Sequence, residues 1–268
     1  MATNDILIDK RGHIAVVTLN RPEAMNAMNR EMSEAVQDIG EELNRDQDVR
    51  AVILTGAGRG FCAGADIKSR DFSSSAGRVP QIYADGSSPE SFRDIRKPTI
   101  AAVNGAAVGV GFAMALGCDM RVASENARFS TAFAKIGIPA LDGVAWTLPR
   151  IVGEAKALEL IYSAEMIDAR EAERIGIVSY VTPPEQLMEK ALELATAFVG
   201  SPPFVNYLSK HLVREAETKT YHDFLPLQYS AALNNRAYGS HDVQEAAAAR
   251  KDKRPPRYKG VNMTRGEA

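Results

Sequence analysis

The sequence predicts an α/β protein, and three observations carry that reading. Apolar runs of strand length, at 51–55 and Thr99–Val103, suit parallel strands buried on both faces. Between them lies a helical pattern, with Met28, Met32, Val36, Ile39 and Leu43 spaced by three and four. Glycine is ordinary in total, at 20 of 268 residues, but eight of the 20 fall in two short windows, 56–64 and 105–117. Each window stands directly behind an apolar run.

The elements follow in order. Ile14–Leu19 is β-branched and apolar, so it reads as a strand, ended by Asn20-Arg21-Pro22. The span 23–44 reads as one amphipathic helix. The run 51–55 is the next strand, and Thr99–Val103 repeats its pattern after Pro98. A small-residue helix over 108–116 opens after Gly105, and short strands are expected near 120–123 and 129–130. Strand, helix and strand in this order imply right-handed crossovers. Residues 69–92 are polar and read as a long loop, either a lid or a disordered segment. Beyond Glu154 the periodicity is helical over 155–163, Ala169–Arg174, 184–198, 205–217 and 225–236. Pro202-Pro203 marks a boundary, which divides the chain into a core over 1–200 and a helical region over 201–268.

Composition excludes several classes. A net charge of −2 gives no overall electrostatic grip on nucleic acid or on a membrane surface. No apolar run approaches the about 18 residues of a membrane span, and the first residues lack a signal-peptide pattern. The two cysteines, Cys62 and Cys118, cannot form a disulfide framework and sit in apolar surroundings, so a reducing, cytoplasmic setting is expected. Four histidines and two cysteines, scattered along the chain, present no metal-ligand spacing, so no metal is expected.

The glycine windows carry the chemistry. A buried strand that runs into a glycine turn and then a helix presents unpaired amides and the positive end of the helix dipole. Such a place suits an anion or a developing oxyanion. Plain turns are the simpler reading of either window alone. The spacing Gly56-x-Gly58-x-Gly60 is not the dinucleotide fingerprint, and neither a phosphate loop nor a nucleophile elbow is present.

Four segments decide between these readings: IAVVTLNRPEAMNAMN at 14–29, AVILTGAGRGFCAGADIK at 51–68, KPTIAAVNGAAVGVGFAMAL at 97–116 and LPRIVG at 148–153. Together with AREAERIGIV at 169–178, they resemble the crotonase, or enoyl-CoA hydratase/isomerase, superfamily over residues 6 to 260. The resemblance implies a crotonase-like spiral of repeated ββα units, a C-terminal helical trimerisation region, and a homotrimer or dimer of trimers. It implies an acyl-CoA thioester as substrate, no cofactor beyond that coenzyme A, and a place in fatty- or aromatic-acid degradation. Ala65 and Val110 would supply the backbone amides of an oxyanion hole. Glu23, Ala24, Met25, Ala63, Asp66 and Ile67 match the positions around coenzyme A. The basic stretch 250–259 is either a solvated tail or a contact for CoA phosphates, with Tyr258 reaching a neighbouring subunit.

The pattern breaks at the proton-transfer groups. The two glutamates of family hydratases correspond to Ala113 and Phe133, neither of which can move a proton. Some members place a single carboxylate in the stretch that reads Gly137-Ile138-Pro139-Ala140-Leu141-Asp142 here. Asp142 is therefore the candidate catalytic base, with apolar neighbours that would raise its pKa. The competing reading makes Asp142 the N-cap of the following helix. Phe133 and Trp146 are expected to shape an acyl pocket for a cyclic or aromatic group, and Asp71, Tyr83 and Asp85 could also line it. Double-bond isomerisation is the favoured reaction. The alternatives are hydration or C–C hydrolysis of an unusual acyl group, and a non-catalytic acyl-CoA binder.

Overall fold

The computed structural model describes residues 4–66 and 92–260. It opens with an antiparallel hairpin of β1 (Ile6–Arg11) and β2 (Ile14–Leu19). A 3-10 turn, Pro22–Ala24, leads to α1 (Arg30–Arg45). The expected single helix over 23–44 is thus broken. Met25 and Asn26 take left-handed backbone angles, φ 53° and 56°, and Asn29 caps the new helix by accepting from the Met32 amide at 2.8 Å.

The strands then alternate between two sheets. β3 (Ala51–Gly56), β5 (Thr99–Val103) and β7 (Met120–Ser124) join the larger sheet. β4 (Gly60–Cys62), β6 (Ala106–Val108) and β8 (Arg128–Ser130) join the smaller one. β9 (Ile167–Asp168) closes the smaller sheet and β10 (Tyr180–Thr182) the larger. The orders are β1-β2-β3-β5-β7-β10 and β4-β6-β8-β9. Each repeat contributes one strand to each sheet, so the chain winds as a spiral.

The larger sheet is buried on both faces, as its continuous apolar runs require. Ala15, Val17, Val52, Leu54, Ala101 and Val103 point into the main core. The alternate residues Ile14, Val16, Ile53, Ile100 and Ala102 meet Leu187, Ala191 and Ala195 on the other face.

The helices of the spiral are α2 (Val110–Gly117), α3 (Val144–Val152), α4 (Glu154–Ser163) and α5 (Ala169–Arg174). Leu187, Ala191 and Ala195 lie on α6 (Leu187–Val199), which follows a 3-10 turn at Pro184–Gln186. The last three are α7 (Pro203–Ala216), α8 (Tyr221–Tyr238) and α9 (Ser240–Asp252). A small separate cluster of Phe204, Leu208 and Ala231 joins α7 to α8.

β1, β4, β6, β9, β10 and α9 had no counterpart in the sequence reading. β1 is exposed along five of its six residues, and β4, β6, β9 and β10 have two or three residues each, too short to show a period. The basic stretch after α9 is tied down rather than loose. Arg254 pairs with Glu245 at 2.6 Å, and Asp242 accepts from the Lys259 and Gly260 amides at 2.8 and 2.9 Å.

Candidate active site

Two asparagine amides, one buried and one half-buried, frame the first glycine window. Asn26 donates to the Ala57 and Gly60 carbonyls at 2.9 and 2.8 Å and accepts from the Arg21 amide at 2.8 Å. Asn104 donates to the Gly58 and Gly60 carbonyls, each at 3.0 Å, and accepts from the Gly56 amide at 3.2 Å. These side chains satisfy main-chain groups that a tight loop leaves without ladder partners. Neither was singled out from the sequence. Asn104 at least stands directly before the second window, whereas Asn26 lies 30 positions ahead of Gly56.

The second window packs directly on the first. At Gly111 a Cβ would stand 2.2 Å from the Cys62 carbonyl oxygen, so only glycine lets the helix approach. Gly109 turns the chain from β6 into α2 with φ 54° and ψ −119°. Its amide donates to the Ser130 carbonyl at 3.0 Å, and its own carbonyl accepts from Ala113 at 2.9 Å.

This packing brings Ala65 and Val110 to neighbouring strand ends. Ala65 forms an isolated parallel bridge with Met28. Met28 donates to the Gly64 carbonyl at 2.8 Å and accepts from the Asp66 amide at 2.9 Å. Since the flanking residues make both bonds, Ala65 turns its own N–H to the opposite side. On the α2 side, Val110 is the first helical residue, so its N–H has no partner within the helix. Among the described residues, no carbonyl accepts from either amide.

The residues matched to coenzyme A lie along one edge. Glu23 and Ala24 form the 3-10 turn, and the Met25 carbonyl accepts from the Ala63 amide at 3.0 Å. Glu23 and Ala63 are exposed, and Ala24 and Met25 are half-buried. Asp66 instead receives the Arg21 guanidinium at 3.2 Å, which also reaches the Ala27 carbonyl at 2.7 Å. That carboxylate is a strut between the two segments. Ile67, Asp71, Tyr83 and Asp85 lie outside the described residues.

Asp142 lies at the other end of α2. It faces a cavity of about 190 Å³ whose walls include Ala113, Gly117, Trp146 and Glu217. Ala113 follows Val110 by about one helical turn, so α2 links the amides to this cavity. Asp142 does not cap α3. Gly143 holds the cap position, no side chain caps the helix, and Asp142 itself takes a left-handed φ of 53°. Aspartate tolerates that region better than most residues do, but the conformation still carries strain.

Trp146 lines the Asp142 cavity, and Phe133 does not. Phe133 opens a 3-10 turn, Phe133–Ile136, and is buried in the main core. The Trp146 ring is covered by cations, with the Arg150 and Arg93 guanidinium carbons 3.8 and 4.3 Å from its centre. Glu217, just past α7, pairs with Arg93 at 2.8 Å. This second carboxylate was not foreseen, because it comes 75 positions after Asp142 and reaches the cavity only through the docking of α7.

Cys62 and Cys118 are fully buried, and burial pushes both thiols up to about 12. Among the described residues, no group of three His, Cys, Asp or Glu side chains could hold a metal. No helix in them is long and apolar enough to cross a membrane.

The family model for enoyl-CoA hydratase/isomerase matches residues 9–261. A short-chain-enoyl-CoA hydratase of Clostridium acetobutylicum is 41% identical over 218 residues, covering 80% of this chain and 82% of the relative. A 1,2-epoxyphenylacetyl-CoA isomerase of Escherichia coli is 35% identical over 255 residues, covering 92% and 95%. The crystal structure of an enoyl-CoA hydratase from Bacillus anthracis superposes with a TM-score of 0.87 at 33% identity, covering 96% of this chain and 99% of that one.

Proposed function

The chain belongs to the enoyl-CoA hydratase/isomerase family and has its crotonase fold, and from that premise we propose that it isomerises the double bond of an enoyl-CoA with one carboxylate, Asp142. The Ala65 and Val110 amides hold the thioester oxygen. Asp142 takes a proton from the carbon next to the thioester, and negative charge moves onto that oxygen as a dienolate. The same carboxyl returns the proton two carbons further along, and the double bond shifts. Nothing is added or lost, so no cofactor beyond the substrate's own coenzyme A enters. The observation that carries this reading is Asp142 in one cavity with Ala113, the position that family hydratases give to a glutamate.

The amides act on charge that appears during the reaction. Two fixed donors stabilise the dienolate more than the ground-state carbonyl, and such a donor contributes about 3–4 kcal/mol to the barrier. The edge formed by Glu23 to Met25 and Ala63 to Asp66 receives the coenzyme, partly through main-chain groups. Exposed Tyr229, Leu233 and Val243 on α8 and α9 suit burial against further copies of the chain, in a trimer or a dimer of trimers. Two buried free thiols suit the cytoplasm.

Hydration is the second reading, favoured by Glu217 in the same cavity and by the hydratase relatives. Asp142 and Glu217 would then share the work of activating and protonating across the double bond. Turnover of a panel of 2- and 3-enoyl-CoAs in ¹⁸O water separates the readings. Isomerisation leaves product mass unchanged, and hydration adds one labelled water. If no member of the panel turns over, neither reaction stands and a non-catalytic acyl-CoA binder is left.

A further inference from the structure

The Asp142 cavity adjoins a larger one. The second cavity, about 460 Å³, shares Arg93, Gly117, Trp146, Thr147 and Glu217 with the first. Its lining is basic: Arg93, Arg121, Arg150, Lys210 and Arg214 stand against Asp119 and Glu217 among the described residues. Among the described residues, that leaves three positive charges in excess.

The two acids are already committed. Asp119 accepts from Lys210 at 2.7 Å and from Arg214 at 3.2 Å, and Glu217 accepts from Arg93 at 2.8 Å. Arg121 is buried and spends its donors on the Ile177, Ala115 and Cys118 carbonyls. Arg150 is different. It lies on α3, donates to the Trp146 carbonyl at 2.8 Å and stacks on the Trp146 ring, and among the described residues no carboxylate pairs with it. Stacking fixes the plane of the guanidinium and leaves its edge free to bind a carboxylate side-on with two hydrogen bonds.

We propose that this second cavity is a subsite for the charged end of the acyl group, and that the preferred substrates are CoA thioesters whose acyl chain ends in a carboxylate held by Arg150. The inference rests on the acyl-CoA reading above and deepens it. It also revises the acyl pocket expected from the sequence. Two guanidinium groups already stack on the Trp146 ring. Trp146 instead serves as the platform that orients the anion-binding cation.

The test compares glutaryl-CoA with pentanoyl-CoA, which have equal carbon counts and differ by a terminal carboxylate against a methyl. Binding is measured by calorimetry on the full chain, so the result does not depend on turnover. Wild type is expected to bind glutaryl-CoA at least about tenfold more tightly, the scale of one charge-assisted pair. Arg150→Gln should bring the two affinities within about threefold, and Arg150→Lys should keep part of the preference. Arg150 is exposed, and an unchanged melting temperature will show that the variants fold. Equal binding of the two thioesters by wild type overturns the proposal, as does a preference that survives Arg150→Gln. If both thioesters and coenzyme A itself fail to bind, the acyl-CoA reading fails with it.

Discussion

The two ends of the candidate site are built in different ways. The amide end is made of main chain, from strands and turns packed closely on one another and held by the Asn26 and Asn104 side-chain amides. The carboxylate end is made of side chains that arrive from separate places: Ala113 on α2, Asp142 before α3, Glu217 past α7 and Arg93 before β5. The first design fixes where two N–H groups point and is indifferent to the side chains that carry them. The second sets which proton moves and what acyl group fits. On the proposed function, stabilisation of an oxyanion and choice of reaction would therefore be separable in this chain.

The contrast breaks most severely at Gly111. A Cβ placed 2.2 Å from the Cys62 carbonyl forces the two windows apart. Gly111→Val is expected to lower stability by roughly 3–5 kcal/mol and to abolish turnover, read by thermal melting and by rate. A milder break is Asn104→Ala, which takes this partner from the Gly56 amide and the Gly58 carbonyl and leaves the Gly60 carbonyl to Asn26. It should lower stability by about 1–3 kcal/mol and loosen the first window. Coenzyme A affinity and turnover should fall together, as measured by calorimetry and steady-state kinetics.

Val110→Ala sharpens the comparison, because the N–H stays. Turnover should remain within about threefold of wild type, with about 1 kcal/mol lost from the trimmed core. A hundredfold fall would mean that the side chain, not the amide, does the work. The smallest effect is in the buried thiols. With their pKa pushed up to about 12, Cys62 and Cys118 stay protonated in the fold. A thiol reagent at pH 8 should label them only after denaturation. Above about pH 9 the unfolded thiols ionise first, so stability should fall as pH rises further.

The amide end was legible in the sequence because its signals are local. A strand-length apolar run followed at once by clustered glycines is visible in a dozen residues, and Ala65 and Val110 sit inside those runs. Resemblance then gave the turns a purpose that spacing alone left open. The carboxylate end was only partly legible. Asp142 stood out because the two glutamate positions hold Ala113 and Phe133, and the structure gives the cap of α3 to Gly143. Glu217 and Arg93 could not be read, since their pairing spans 124 positions and depends on how α7 docks. Trp146 was expected to shape a pocket for a cyclic or aromatic acyl group, and the arginines that stack on it come from one turn along its own helix and from another segment. The short strands β4 and β6 were missed for a related reason: three residues cannot display a period, and their places are set by the sheet they join.

The central claim is that backbone amides and one carboxylate, Asp142, divide the reaction between them. Asp142→Asn tests it most directly, with turnover of an enoyl-CoA accepted by wild type measured beside coenzyme A affinity. The account predicts a loss of at least about a hundredfold in kcat with affinity within about threefold of wild type, the pattern of a missing proton carrier in an intact binding site. Turnover left unchanged by the substitution would contradict it and take Asp142 out of the mechanism.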